Sequence, residues 1–365
     1  MKRWLARRAG IYRDMHDMTL EAVLVALGAF GISAILTATI RKLALSRGWV
    51  DVPNGRSSHV TPTPRGGGSA IVVATTIALV ALSLPALVGA AGVRSNVLAA
   101  LGGGGLLVAA VGFADDRNSL SVVVRLSVHF AAALWALAWL GGLPPLLVGT
   151  HIVDFGWVGY PFGALAIVWV LNLFNFMDGI DGIAASEATF IGWGAVLLAG
   201  LAEAPGEVMS VSLAFGAATF GFLLWNWPPA KIFMGDVGSG YLGYVIVVLA
   251  IAAARDDPVA LFVWLILGGV FFVDANVTFA RRLARGEPVH HAHRNHGYQW
   301  LSRRLKSHRR VTVMVLLLNL LWLPPCACCA ARWPRFAAWI TVGTFVPLVV
   351  LAFMSGSGQR DTPLR

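Results

Sequence analysis

Long runs of residues without charge, each close to the length of a membrane crossing, decide most of what this chain can fold into. A hydrocarbon core about 30 Å thick takes about twenty helical residues to cross. Eleven blocks approach that length, the fourth interrupted by Arg125 and His129 and the ninth by Asp274 and Asn276: 18-40, 67-92, 95-114, 121-141, 160-177, 187-202, 208-225, 240-254, 258-280, 311-331 and 334-354. Runs this continuous predict helices, because a membrane β-barrel would alternate apolar and polar residues in strands of about ten. The chain is 57% hydrophobic and 13% charged, against about 25% charged in an average globular protein. A soluble enzyme, a disordered protein and a secreted disulfide scaffold are thereby excluded. Cys326, Cys328 and Cys329 fall in one apolar run, lack the spacing and further ligands of a zinc site, and read as packing residues. The expected fold is an all-α polytopic membrane protein of about 11 transmembrane helices, with 10 as the alternative count. Residues 18-354 form a single multispan domain, between a basic tail, 1-17, and a C-terminal tail, 355-365.

Lysine and arginine set the orientation, since positively charged loops stay in the cytoplasm. The loop after the first block holds five and the loop after the ninth holds nine, whereas no even-numbered loop holds more than two. Odd-numbered loops are therefore predicted to be cytoplasmic, with the N-terminus outside and the C-terminus inside. The net charge of +10 follows from these loops, and nucleic acid is not implied. Lys2, Arg3, Arg7, Arg8 and Arg13 oppose this rule; either the first span is misplaced or, with Met15 and Met18 as alternative starts, the tail is a non-native beginning. It does not read as a cleaved signal, because the apolar run behind it is span-length and lacks a small-residue cleavage site.

Only eighteen residues are acidic, and a carboxylate at the bilayer centre costs about 2.5–3.5 kcal/mol on insertion scales, so acid placement is informative. Asp115 and Asp116 end the third block in GFADDRNSL, where they oppose the helix macrodipole. Convergence on a cation or a protonated partner would offset that cost. In NLFNFMDGIDGIAASEA, Asp178 and Asp181 would share a helical face with Asn175, and Gly179 and Gly182 let the backbone turn or a ligand approach. NWPPAKIFMGDVGSGYLG sets Lys231 and Asp236 among glycines, a loop able to offer N–H groups and a carboxylate to a phosphate and its metal. In DVPNGRSSHVTPTPRGGGSA the donors Arg56, Ser57, Ser58, His59, Thr63 and Arg65 predict a phosphate-facing loop.

The longest odd-numbered loop, RRLARGEPVHHAHRNHGYQWLSRRLKSHRR, contains His293, Arg294 and His296. Its histidines at i and i+3 would lie side by side, and with no cysteine nearby, anion binding beside magnesium-holding acids is favoured over zinc. Arg303, Arg304, Lys306, Arg309 and Arg310 read as topology or lipid-headgroup residues. Asp154, Glu203, Glu207, Asp256 and Asp257, in even-numbered loops, read as ordinary solvated acids.

Asp115, Asp116, Asp178, Asp181 and Asp236 cannot share a pocket fully ionised without a cation, which implies Mg2+, with Mn2+ as the alternative. Metal, donors and in-line positioning are what phosphoryl transfer asks of a protein. Within a membrane, one substrate would be a lipid phosphate and the other a nucleotide diphosphate compound from the cytoplasm. A transporter would place its acids near the midplane, often in repeated halves. Here they stand at helix ends without a repeat, and a structural scaffold would explain none of them.

In chain order, PNGRSSHVTPTPRGGG, DDRN, NFMDGIDGIAASE, FMGDVGSGYLG and AHRNHGYQ resemble the motifs of the polyprenyl-phosphate N-acetylhexosamine-1-phosphate transferases of glycosyltransferase family 4, over about residues 45 to 300. The resemblance implies a multi-pass enzyme of the bacterial inner membrane with a cytoplasmic active site. Its substrates would be a UDP-N-acetylhexosamine and undecaprenyl phosphate among membrane lipid, with UMP released; a homodimer is left open. It implies catalytic roles for Asp115, Asp116, Asp236, His293 and His296, and metal ligation by Asp236 and Asp178. It implies substrate binding by Asn175, Asp178, Asp181, Phe233, Lys231, Arg65 and Arg294, with Phe233 stacking on uracil. The DDRN stretch carries Asn118 without a further charge of the family's acidic pattern, and HAHRNH replaces the histidine triplet of the muramoyl-pentapeptide branch. PTPRGGG and HRNHGYQ look most like the O-antigen-initiating branch, which implies a first step in O-antigen or related envelope polysaccharide synthesis.

Overall fold

The computed structural model describes residues 20–53, 61–88, 92–201, 206–287 and 294–360. Arg56, Ser57, Ser58, His59 and His293 lie outside the described residues. Each apolar block has a helical counterpart. In chain order these are α1 (Leu20–Arg47), α2 (Gly68–Ser83), α3 (Ser95–Arg117), α4 (Val122–Leu140), α5 (Gly159–Met177) and α6 (Ile183–Leu201). They continue with α7 (Glu207–Asn226), α8 (Asp236–Asp256), α9 (Ala260–Leu267), α10 (Gly269–Ala284), α11 (Gly297–Leu305), α12 (His308–Arg332) and α13 (Ala337–Ser355).

Among the described residues, nine helices are long and apolar enough to cross a membrane, or ten if α9 and α10, bent by 73°, make one span. The length criterion leaves out α2, which has 16 residues, although the chain runs through it from Arg65 beside the start of α8 to Arg94 at the opposite end. The ninth block breaks where Gly268 and Gly269 adjoin, a glycine pair being a common cause of a sharp bend. The described residues also form two short antiparallel ribbons: β1 (Val50–Asp51) with β2 (Thr63–Pro64), and β3 (Leu146–Val148) with β4 (His151–Val153).

α8 is apolar around its whole circumference, and it is buried on every side, packed on α2, α3 and α5. Without a water-driven force between helices in lipid, close packing needs small residues. Gly243 of α8 supplies one, since a Cβ there would stand 2.7 Å from the Val170 carbonyl oxygen of α5. Gly112 of α3 supplies another, where a Cβ would stand 2.5 Å from the Asp236 carbonyl oxygen. These contacts bring the end of α3 against the start of α8.

Loops following odd-numbered blocks meet at one end of the bundle. The Phe233 N–H donates to the Pro64 carbonyl at 2.8 Å, and the Asp236 N–H to Asp116 at 2.9 Å. The Tyr298 hydroxyl donates to the Phe176 carbonyl at 3.0 Å. At the opposite end Arg94 binds Glu207 and, at 3.2 Å, Asp256. Glu207 is therefore not an ordinary solvated acid: Arg94 covers it with both its backbone N–H and its guanidinium, leaving 7% of the side chain exposed.

Candidate active site

The site is built around the first turn of α8. Gly235 precedes it with φ +79°, and a Cβ there would stand 2.4 Å from Asp116 Oδ2, so glycine serves both the turn and the close approach. Asp116 accepts hydrogen bonds from the N–H groups of Asp236 (2.9 Å) and Val237 (3.1 Å), two donors with no partner inside the helix. The unfavourable position of Asp116 at the end of α3 is resolved in this way, because its charge lies against the positive end of α8.

Two arginines tie the carboxylates together. Arg65 donates from Nε to Asp116 at 2.9 Å and from Nη2 to Asp236 at 3.0 Å. Arg125 donates from Nη1 to Asp115 at 2.8 Å and lies 3.8 Å from Asp236 Oδ2. Asp115 also accepts the Leu120 N–H at 2.6 Å. Burial works against the Arg65 charge, but Asp116, Asp236, Asp51 and Asp178 outweigh it and raise its pKa above the ordinary value.

Backbone pairing between two glycine-rich motifs places Arg65. The Phe233 N–H donates to Pro64, while the N–H groups of Gly67 and Gly68 donate to Phe233 (3.0 Å) and Met234 (2.9 Å). Gly68 and Gly238 touch backbone to backbone, since a Cβ on Gly68 would stand 2.4 Å from the Gly238 Cα. PTPRGGG and FMGDVGS are thus two halves of one structure, with the half-buried Phe233 between them.

From α5, Asn175 accepts a hydrogen bond from Ser239 Oγ of α8 at 3.3 Å. Asp178 follows the helix as its C-cap residue. Desolvation, then Asp236, and with smaller weight Asp116 and Asp181, push its carboxyl well above the usual range against the opposing pull of Arg65. Asp181 is held by other partners, accepting the Ala230 N–H at 3.0 Å and pairing with His308 at 3.2 Å. Lys231 is exposed, with its ammonium 5.4 Å from the Trp225 ring centroid.

His296 is buried at the head of α11, 2% exposed, and its N–H donates to Gln299 at 3.3 Å. Burial lowers its pKa below the ordinary histidine value, with Asp274 opposing and Arg282 reinforcing the shift. Arg294 is half-buried, and its carbonyl accepts from Arg303 at 3.0 Å. The histidine segment docks on DGIDG: a Cβ on Gly179 would stand 2.3 Å from the Tyr298 hydroxyl and 2.7 Å from Gln299 Nε2.

Sequence reasoning missed four contributors. Arg125 showed only as a charge within a span-length block, although an ionisable residue there is a functional signal in its own right. Asn226 accepts the Gly182 N–H (3.0 Å) and donates to the Ile232 carbonyl (2.9 Å), while Ser239 and His308 act as above. Ser239 lies within the MGDVGSG motif beside Asp236, whereas Asn226 and His308 stand out neither by composition nor by spacing.

Comparison with known proteins agrees with the motif series. A model of glycosyl transferase family 4 matches residues 98–254. A probable undecaprenyl-phosphate N-acetylglucosaminyl 1-phosphate transferase of Bacillus subtilis is 30% identical over 297 residues, 79% of each chain. The chain belongs to glycosyl transferase family 4. A decaprenyl-phosphate N-acetylglucosaminephosphotransferase of Mycolicibacterium smegmatis is 31% identical over 81% of this chain and 79% of its own. A phospho-N-acetylmuramoyl-pentapeptide-transferase of Moorella thermoacetica is 30% identical over 65% of this chain and 78% of its own. The family 4 match contains Asp115, Asp116, Asn175, Asp178, Asp181 and Asp236, and leaves Arg65 and His296 outside.

Among the described residues no three acid, histidine or cysteine side chains are grouped as a metal cage. Mg2+ does not require one, being ordinarily held by one or two carboxylates together with substrate phosphates. The donors fit that use. Asp115, Asp116, Asp178 and Asp236, when ionised, outnumber Arg65 and Arg125 by two charges, the charge of one divalent ion. Asp178 and Asp236 are the oxygen donors suited to it.

Proposed function

We propose that this family 4 protein transfers N-acetylglucosamine 1-phosphate from UDP-N-acetylglucosamine to undecaprenyl phosphate, releasing UMP, at the cytoplasmic face of a bacterial inner membrane. The observation that carries this reading is the excess of carboxylates over arginines at the first turn of α8, at the end of an apolar helix bundle. N-acetylglucosamine is favoured because the Bacillus and Mycolicibacterium relatives are named for it. HAHRNH in place of a histidine triplet argues against a muramoyl-pentapeptide donor. The product would start an envelope polysaccharide, O-antigen being one such polymer.

In this reading an oxygen of the lipid phosphate forms a bond to the β-phosphorus of the UDP-sugar. The bond from that phosphorus to the bridging oxygen breaks, and UMP leaves with the electron pair. A phosphate monoester has a second pKa of about 6, so the nucleophile is largely dianionic at neutral pH and needs no base. This suits Asp116, whose oxygens are occupied by two N–H groups and Arg65. Arg65 and Arg125 steady the carboxylates and offer positive charge to the transferred phosphoryl group. Phe233 offers a ring to the nucleobase, with Asn175 and Arg294 as polar contacts. Mg2+ or Mn2+ held by Asp178 and Asp236 would neutralise charge on the diphosphate.

The test is a product assay with purified protein, undecaprenyl phosphate and a panel of UDP-N-acetylhexosamines, resolving UMP from UDP. UMP release from UDP-N-acetylglucosamine that requires both lipid and Mg2+ is expected. Formation of UDP would mean transfer of the sugar without its phosphate and would overturn the reading.

A further inference from the structure

Residues 356–360 do not trail from the end of α13. After α13 the chain passes Gly356 (φ +95°) and Gly358 (φ +73°) and turns back across the bundle end. Ser357 between them is fully buried. Its hydroxyl donates to Asp274 Oδ1 at 2.6 Å, the same oxygen that accepts the Gly297 N–H at 2.8 Å. The second oxygen of Asp274 takes the Tyr298 N–H at 3.3 Å. The Gly358 N–H donates to the Asn295 carbonyl at 2.6 Å, and Arg281 and Arg285 of the α10 end hold the carbonyls of Ser357 and Gly358. A Cβ on Gly297 would stand 2.3 Å from Ser355 Oγ and 2.4 Å from Ser357 Oγ, so the two segments lie in direct contact.

One buried carboxylate therefore joins three elements: α10, which carries it, the head of α11, and the C-terminal segment. The head of α11 rests in turn on the loop after α5, through Tyr298 on the Phe176 carbonyl and against Gly179, next to Asp178. We propose that Gly356–Gln359 is a positioning strap for the transfer site, with Ser357 acting through Asp274 to set the Asn295–Tyr298 segment against Phe176–Gly179. The role of that site rests on the proposed function; the strap contacts do not. Removing the Ser357 hydroxyl leaves Asp274 short of its closest donor, and the N–H groups of Gly297 and Tyr298 lose a fixed acceptor.

The experiment compares the full chain, S357A, S357T and a chain ending at Ser355, by steady-state kinetics and amide hydrogen exchange without substrate. Expected are faster exchange at Gly297 and Tyr298 in S357A and the shortened chain, and a kcat lower by about tenfold, as for one lost hydrogen bond to a charged group. KM for undecaprenyl phosphate should be unchanged, and S357T should recover kcat. Wild-type exchange and kcat in the shortened chain would overturn the strap. So would a loss that S357T does not recover, or one that only follows a smaller folded fraction. Absence of UMP from the wild-type chain would strike the transfer reading instead, leaving amide exchange to decide the strap.

Discussion

Arg125 joins Asp115 to the start of α8 from a helix whose other residues are largely apolar. A hydrogen bond to a charged group is worth about 1.5–3 kcal/mol, and partial exposure of Arg125 favours the lower end. Arg125→Ala should therefore lower kcat/KM by about tenfold, with Arg125→Lys intermediate because it keeps the charge and loses the planar fork. Steady-state kinetics at fixed lipid would show this, and an undiminished kcat/KM would detach Arg125 from the site. The pairing explains why residue-scale reading succeeded and failed together. Asp115 and Asp116 are conspicuous as acids at an apolar helix end. The partners that neutralise them come from remote parts of the chain, and spacing does not identify which arginine arrives.

At the scale of elements, the connection from α10 towards α11 is tied by Glu287, which accepts from Arg285 (2.7 Å), Arg282 (3.2 Å) and Arg360 (3.4 Å). The Arg285 hydrogen bond first, and then those from Arg282 and Arg360, outweigh the burial penalty and hold the Glu287 carboxyl down to about 2 from an ordinary 4.5. A folded-state pKa below the unfolded one contributes stability that is complete above the ordinary value and is lost as pH falls through the folded one. Stability supplied by Glu287 should thus decline between pH 4.5 and about 2. Glu287→Gln should flatten that decline, as measured by the thermal midpoint from pH 5 downwards; equal acid sensitivity in both chains would remove Glu287 from the account. Apolar-block reading found every long helix but passed over α11, because nine residues with an arginine-rich end give no span-length signal. It also treated the C-terminal residues as a tail, since nothing in SGSGQ announces that Ser357 is buried on Asp274.

For the whole molecule, the partition of loops between two ends is seen in their contacts, while the side on which each end faces is an expectation of the positive-inside rule. Replacing Cys326, Cys328 and Cys329 and introducing Ser119→Cys or Thr150→Cys tests it, both positions being exposed and at opposite ends. An impermeant maleimide on intact cells should label Thr150→Cys, and Ser119→Cys only after permeabilisation. The reverse pattern would place the site outside. The all-helical membrane architecture, the end-to-end grouping of loops and the five motifs were determined by the sequence alone, because hydrophobic length, loop charge and glycine spacing are local quantities. Tertiary structure decided which charge meets which, and that Asp116 caps α8. It also decided that Ser357 reaches Asp274. Those outcomes depend on how closely helices approach, and the approach is set by glycine contacts between segments distant in the chain, such as Gly68 with Gly238.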